Sequence, residues 1–171
     1  MDDGFCSSRL LLVFVFLLIL TNGSLGWSDD EQTRQFCHSI GGEIVDGMIC
    51  PANGDFWHGI RCQISADPLV FFNGCSSGVS PYGEVFFSAC VNHDLCYHHE
   101  PASTGMSRKD CDEEFLENMR NICQMEEENG KGCHWAALAY YGFVRLGGQS
   151  SFECSNIPID RNDLFQSFFY L

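Results

Sequence analysis

The spacing of apolar and polar positions changes character several times along the chain. It begins with an unbroken apolar run from Leu10 to Leu20, followed by small and polar residues ending Ser24-Leu25-Gly26. A run this short does not span a bilayer easily, so residues 1–26 read as a secretory signal peptide, with cleavage expected before Trp27. No other segment is apolar and long enough to cross a membrane, and a secreted, soluble mature chain is expected. Residues 27–70 mix Cys37, Cys50 and Cys62 with turn residues such as Gly41-Gly42, Pro51 and Asn53-Gly54, and read as an extension of disulfide-tied loops. A short apolar run, Leu69 to Phe72, ends on Asn73-Gly74, a turn signal. From Cys90 to Tyr97 the period becomes helical. At about 100° per residue His93, Cys90 and Tyr97 share one face, with Asp94 one position round from His93. A second helix is expected over about Lys109 to Cys123, opened by a capping box of Ser107 and Asp110. A third begins at Cys133, carries Trp135, Leu138, Ala139, Gly142, Phe143 and Leu146 at helical spacing, and stops at Gly147-Gly148; these residues read as core. The tail, 149–171, ends in an aromatic cluster from Phe165 to Tyr170, read as packing onto the body, with lipid contact as the sharper alternative.

The second helix carries the first chemical signal. Asp110, Glu113, Glu114, Glu117 and Arg120 fall on a solvent face, but Asp112 falls inside the stripe of Cys111, Phe115, Leu116, Met119, Ile122 and Cys123. An unpaired carboxylate there would cost several kcal/mol, roughly, in desolvation. It therefore needs a partner, and the helix carrying His93 is the natural source. Histidines 38, 58, 98, 99 and 134 read instead as surface or locally bonded residues.

Composition narrows the picture. Of 11 cysteines, ten remain once Cys6 leaves with the signal, an even number that reads as a disulfide framework, and no pair has the C-x-x-C spacing of structural zinc sites. Cys123 and Cys133 are expected to bridge the charged turn Glu126-Glu127-Glu128-Asn129-Gly130. A net charge of −14 opposes nucleic-acid binding and electrostatic docking on anionic membranes, so any lipid contact must rest on apolar and aromatic groups.

The order Cys90-x-x-His93-Asp94-x-Cys96-Tyr97, followed by Cys111-Asp112 opening a second helix, resembles secreted phospholipase A2. The wider stretch Asn73-Gly74-Cys75-Ser76-Ser77, Pro81-Tyr82-Gly83 and Phe87-Ser88-Ala89-Cys90-Val91-Asn92-His93-Asp94 is most similar to the fungal/bacterial branch and the related cone-snail conodipines. The likeness covers residues 71–148, the expected catalytic core. It implies a mostly α, disulfide-stapled fold with two long antiparallel helices and a third packing helix, held by Cys75–Cys90 and Cys96–Cys111 bridges. One of Cys37, Cys50 and Cys62 is then expected to reach Cys154, with three pairings open. The resemblance further implies hydrolysis of the sn-2 ester of glycerophospholipids at a membrane surface or micelle. His93 would be the base and Asp112 its orienting partner, with Ca²⁺ held by Asp94, the Asn73 side chain and the Gly74 carbonyl. Two departures stand out: Asn73 replaces the acid usual in the branch, and Ala89 replaces a cysteine of the animal enzymes. Asn73 and the unmatched extension favour a second function, a non-catalytic binding module or toxin subunit on the same fold. The joint presence of His93, Asp94 and Asp112 favours the enzyme. A disulfide-rich structural protein leaves Asp112 unexplained.

Overall fold

The computed structural model describes residues 28–50, 52–64, 70–75, 82–125 and 130–154. The segment expected to be a signal peptide and the aromatic end of the tail lie outside them. The segment expected as loops folds instead into helix α1 (Ser28–Ser39) and the hairpin of β1 (Glu43–Ile49) and β2 (Phe56–Ile64). The turn signals were real, but Asn53-Gly54 is the turn of a hairpin rather than part of an irregular loop. Asn53 Oδ1 accepts from the Asp55 N–H at 2.9 Å, and the Cys50 N–H donates to the Asp55 carbonyl at 2.7 Å. The apolar run before Asn73 forms β3 (Val70–Phe72), which pairs antiparallel with β2 to complete a three-stranded sheet in the order β1-β2-β3.

Helix α2 (Gly83–Ser103) is buried on two sides. Phe86, Ala89 and Cys90 pack with Phe115, Met119, Ala137 and Tyr140 of the other helices, while Phe87, Val91 and Leu95, one turn apart, pack with Phe72, Ile64 and the Cys37–Cys62 bridge. A helix between two cores has little polar face to give to solvent, here Glu84 and Ser88 near its start. This is why His98, at 7% exposure, and His99, at 0%, are interior residues, so that of the two expected readings, surface or locally bonded, the surface one does not hold for them.

Helix α3 (Arg108–Met125) begins at the expected cap. The Ser107 hydroxyl and N–H donate to Asp110 Oδ2 at 2.6 and 2.9 Å. It runs antiparallel to α2: Asn92 meets Glu114, His93 meets Asp112 and Cys96 bridges Cys111, partners rising along one helix as they fall along the other. Helix α4 (Gly130–Gly147) packs on α3 and is tied to it by Cys123–Cys133. Its buried face is not the expected one. Cys133, Ala137 and Tyr140 are buried and Val144 is partly so, whereas Trp135, Leu138 and Leu146 are 73%, 42% and 87% exposed. Cys133 and Ala137 are small, Tyr140 fills the core against Phe86, and the stripe of Trp135, Leu138 and Leu146 is left outside. A short helix α5 (Gln149–Glu153) follows.

The bridges Cys75–Cys90 and Cys96–Cys111 form as the resemblance implied. Cys50 is the cysteine that reaches Cys154, binding the hairpin to the end of α5, and Cys37–Cys62 ties α1 to β2.

Candidate active site

His93, on the middle of α2, is 7% exposed, and Asp112, in the first turns of α3, is fully buried. The Cys96–Cys111 bridge fixes the two helices next to this contact. His93 Nε2 lies 2.9 Å from Asp112 Oδ1, so Nε2 carries the proton donated to the carboxylate, and Nδ1 is the ring nitrogen left outside this contact. Tyr97, one turn along α2, donates its hydroxyl to the same carboxylate oxygen at 2.6 Å. Arg145, from α4, donates to Oδ2 at 2.6 Å. Burial would push the Asp112 carboxyl up, but the hydrogen bonds from His93, Tyr97 and Arg145 outweigh it and hold the group below its ordinary range. It stays a carboxylate. Burial and the bond to Asp112 push the Tyr97 hydroxyl up, so it remains a donor. The His93 ring is clamped at centroid distances of 4.1 Å from Tyr97 and 4.6 Å from Phe115. Tyr97 also meets Phe152 of α5 edge-on.

One residue beyond His93, Asp94 faces the loop after β3. Its Oδ2 accepts the backbone N–H groups of Asn73 and Gly74, each at 2.8 Å. Gly74 has φ of +72°, and a Cβ there would meet Phe87 at 2.7 Å and Thr33 at 2.9 Å, so only glycine brings this N–H to the carboxylate. The buried Thr33 of α1 braces the loop by donating to the Asn73 carbonyl at 2.9 Å. Burial pushes the Asp94 carboxyl up to about 6, against the opposing pull of the two N–H groups and the charges of His93 and Arg61. That carboxylate is under-compensated, and a cation would relieve it. Its second oxygen and the Asn73 amide oxygen are hard donors suited to a calcium-like ion. Among the described residues no group of three or more His, Cys, Asp and Glu side chains could hold a metal.

His93, Asp94, Asn73 and Tyr97 line a single cavity of about 360 Å³, which Phe143, Val144 and Cys154, just past α5, also line. The structure thus places the side chains of His93, Asp94 and Asn73 on one cavity, with Asp112 bonded to His93 behind it and Gly74 adjoining through its backbone. It adds three more. Arg145 braces Asp112, and Arg61 of β2 and His98 of α2 line the cavity as buried polar groups. Burial, with the charge of Arg61 next, pushes His98 down to about 3, so it is neutral. Asp112's place in the apolar stripe pointed to a partner, but nothing along α4 singles out Arg145. Arg61 stands between Ile60 and Cys62 in a strand buried on successive residues, where no alternation marks it.

A proton acceptor held by a buried carboxylate, next to a second carboxylate in the same cavity, is equipped to deprotonate a water beside a polarised carbonyl. Comparison with known proteins points the same way. Residues 54–148 match the family model of prokaryotic phospholipase A2. Conodipine-P2 and conodipine-P1 of Conus purpurascens are each 42% identical to the chain over 62 residues, and conodipine-P3 of the same animal is 40% identical over the same length. Each match covers 36% of this chain and 34% of the relative, so the chain spans about a third of the length of the curated relatives it matches. No solved structure matches the chain. The family match takes in β2, β3 and helices α2 to α4, the elements that carry Arg61, Asn73, His93, Asp94, Asp112 and Arg145, and the chain belongs to the prokaryotic phospholipase A2 family.

Proposed function

We propose that the protein is a secreted phospholipase A2 that hydrolyses the sn-2 ester of glycerophospholipids to a lysophospholipid and a free fatty acid, and that it requires calcium. The observation that carries this reading is the buried His93–Asp112 contact of 2.9 Å, opening on the same cavity as Asp94. His93 Nδ1 takes a proton from water as the water oxygen attacks the ester carbonyl. Asp112 keeps the ring in the required tautomer and stabilises the imidazolium, which then returns the proton to the departing alkoxide. Tyr97 and Arg145 hold Asp112 ionised and fixed. No covalent intermediate is needed. Asp94, with Asn73 and Gly74, would hold the calcium ion, which when bound supplies electrostatic stabilisation to the phosphate and the developing oxyanion.

The lipid surface is met through apolar contact. Trp135, Leu138 and Leu146 form an exposed stripe along α4, and Phe143 on the same helix lines the cavity. In a chain of net charge −14 such a stripe suits a zwitterionic interface. Five disulfides agree with an oxidising, extracellular setting.

The test is fatty-acid release from mixed phospholipid vesicles by the mature chain, with calcium or with excess chelator, paired with calorimetry of calcium binding. A site with one carboxylate should bind on the order of 10⁻⁴ to 10⁻³ M, as extracellular modules do. Chelator should stop release, Asp94→Asn should lose both binding and release, and Asn73→Asp should bind calcium more tightly. Full release in chelator contradicts the calcium requirement. Lipid binding with no release under any condition would move the protein to the binding-module reading.

A further inference from the structure

Three arginines approach the cavity and its supporting carboxylate, and two are committed to structure. Arg145 donates to Asp112, and Arg108 donates to the carbonyls of Val144 and Arg145 at 3.2 and 3.1 Å. Arg61 differs. It is 4% exposed, it lines the cavity, its Nε has no hydrogen-bond partner, and among the described residues it forms no ion pair within 4.0 Å. The nearest compensation is the charge of Asp94, felt at a distance. A guanidinium withdrawn from water without a bonded acceptor is costly, and such a group persists where a ligand completes it. Arg61 is also the one arginine or lysine among the described residues lining the cavity, and His98 beside it there is held neutral.

We propose that Arg61 is a specificity-determining residue that binds the phosphodiester anion of the substrate, its planar donors taking the non-bridging oxygens while the ester reaches His93. This rests on the phospholipase reading and extends it to how the headgroup is recognised. A phosphodiester offers two anionic oxygens in the geometry a guanidinium fork matches, whereas a neutral glyceride offers none. The placement has a second consequence. A cation on Asp94 takes away the charge that compensates Arg61, so Arg61 opposes the cation until a phosphodiester arrives. The two ligands must therefore bind cooperatively, each tightening the other by the same factor.

The experiment uses the full mature chain in a His93→Gln background, so that ligands survive, with monomeric dibutyryl phosphatidylcholine as probe and dibutyrylglycerol as its phosphate-free control. Binding is read by calorimetry and by the fluorescence of Trp57, which lines the same cavity. Arg61→Met should weaken phosphatidylcholine binding roughly 10- to 100-fold, the loss of a charge-assisted bond, and weaken the glyceride far less. The same variant should bind calcium more tightly in the absence of lipid. A merely structural role would weaken both ligands together, so opposite changes are the signature. Arg61→Lys, which keeps the charge and loses the fork, should fall between wild type and Arg61→Met and secures the comparison if the methionine variant does not fold. Equal phosphatidylcholine affinity in wild type and either variant overturns the proposal, as does equal weakening of phospholipid and glyceride. Release assays on the His93 protein separate the two ideas. Hydrolysis with no effect of Arg61 leaves the phospholipase reading standing alone, and Arg61-dependent binding without hydrolysis leaves only the anion site.

Discussion

Tyr97→Phe removes one oxygen from the centre of the site and leaves the packing intact. The phenol is 4% exposed and donates at 2.6 Å to a carboxylate that is fully buried. The ring contacts with His93 and Phe152 do not involve the hydroxyl, so no cavity larger than one atom is created. A hydrogen bond to a charged group contributes about 1.5–3 kcal/mol. Asp112 keeps His93 on the same oxygen and Arg145 on the other, so it is not stranded, and the loss should sit near 2 kcal/mol at neutral pH by that scale. For a domain of this size that is roughly 4–8 °C in Tm. The effect has a definite pH dependence. Asp112 is held below its ordinary value of 3.8, so its contribution is present above that value and is lost as pH falls through the lower, folded-state value. Tyr97→Phe raises the folded-state value. The gap between wild type and variant should therefore be full at pH 7 and shrink once pH drops below the ordinary carboxylate range, toward the ~0.5–1.5 kcal/mol of a bond between neutral groups. Urea denaturation of both proteins at a series of pH values measures it. A gap under about 0.5 kcal/mol at pH 7, outside the range for such bonds, or one that does not change with acid, would refute the assignment of Tyr97 as a donor to an ionised Asp112.

Replacing Trp135 and Leu146 together by serine should reduce partitioning onto zwitterionic vesicles tenfold or more, since burying even part of two such side chains is worth about 1.5 kcal/mol or above; sedimentation with vesicles reads this, and unchanged partitioning would exclude the stripe as the lipid contact. Opening the Cys50–Cys154 bridge by a double alanine substitution should cost about 2–4 kcal/mol, because it frees the hairpin from α5 across a long stretch of chain. Thermal unfolding checks it, and a variant as stable as wild type would mean the bridge adds nothing to the fold. Asp112→Asn should lower hydrolysis, but less than His93→Gln, because the base remains while its orientation suffers; equal rates to wild type at every pH would remove Asp112 from the mechanism.

The parts of the site read from sequence are those where one helix carried a contradiction within its own pattern. Asp112 interrupts an apolar stripe, and a buried carboxylate has so few solutions that its pairing with His93 could be anticipated. The cap at Ser107 was equally local. Features that depend on which surfaces meet were not legible. Helix α4 carries two apolar stripes at helical spacing, and the spacing alone does not choose between that of Trp135, Leu138 and Leu146 and that of Cys133, Ala137 and Tyr140, which the packing buries. His98 and His99 are interior because α2 lies between two cores, a fact of tertiary arrangement. Cysteine pairing in the N-terminal segment was undetermined because three pairings fit the same counts. Arg61 was invisible for a related reason: β2 becomes the central strand once β3 pairs with it, and burial then follows the sheet and the cavity rather than the local sequence.

The central claim is that a base at His93 activates water for attack on a phospholipid ester. It is met most directly by fatty-acid release from phosphatidylcholine vesicles in calcium by wild type and by His93→Gln, with the fold of the variant checked by circular dichroism. Glutamine can still bond Asp112 but cannot accept a proton at neutral pH, so release should fall at least roughly 100-fold with the fold retained. Release by the variant at near wild-type rate would contradict the account.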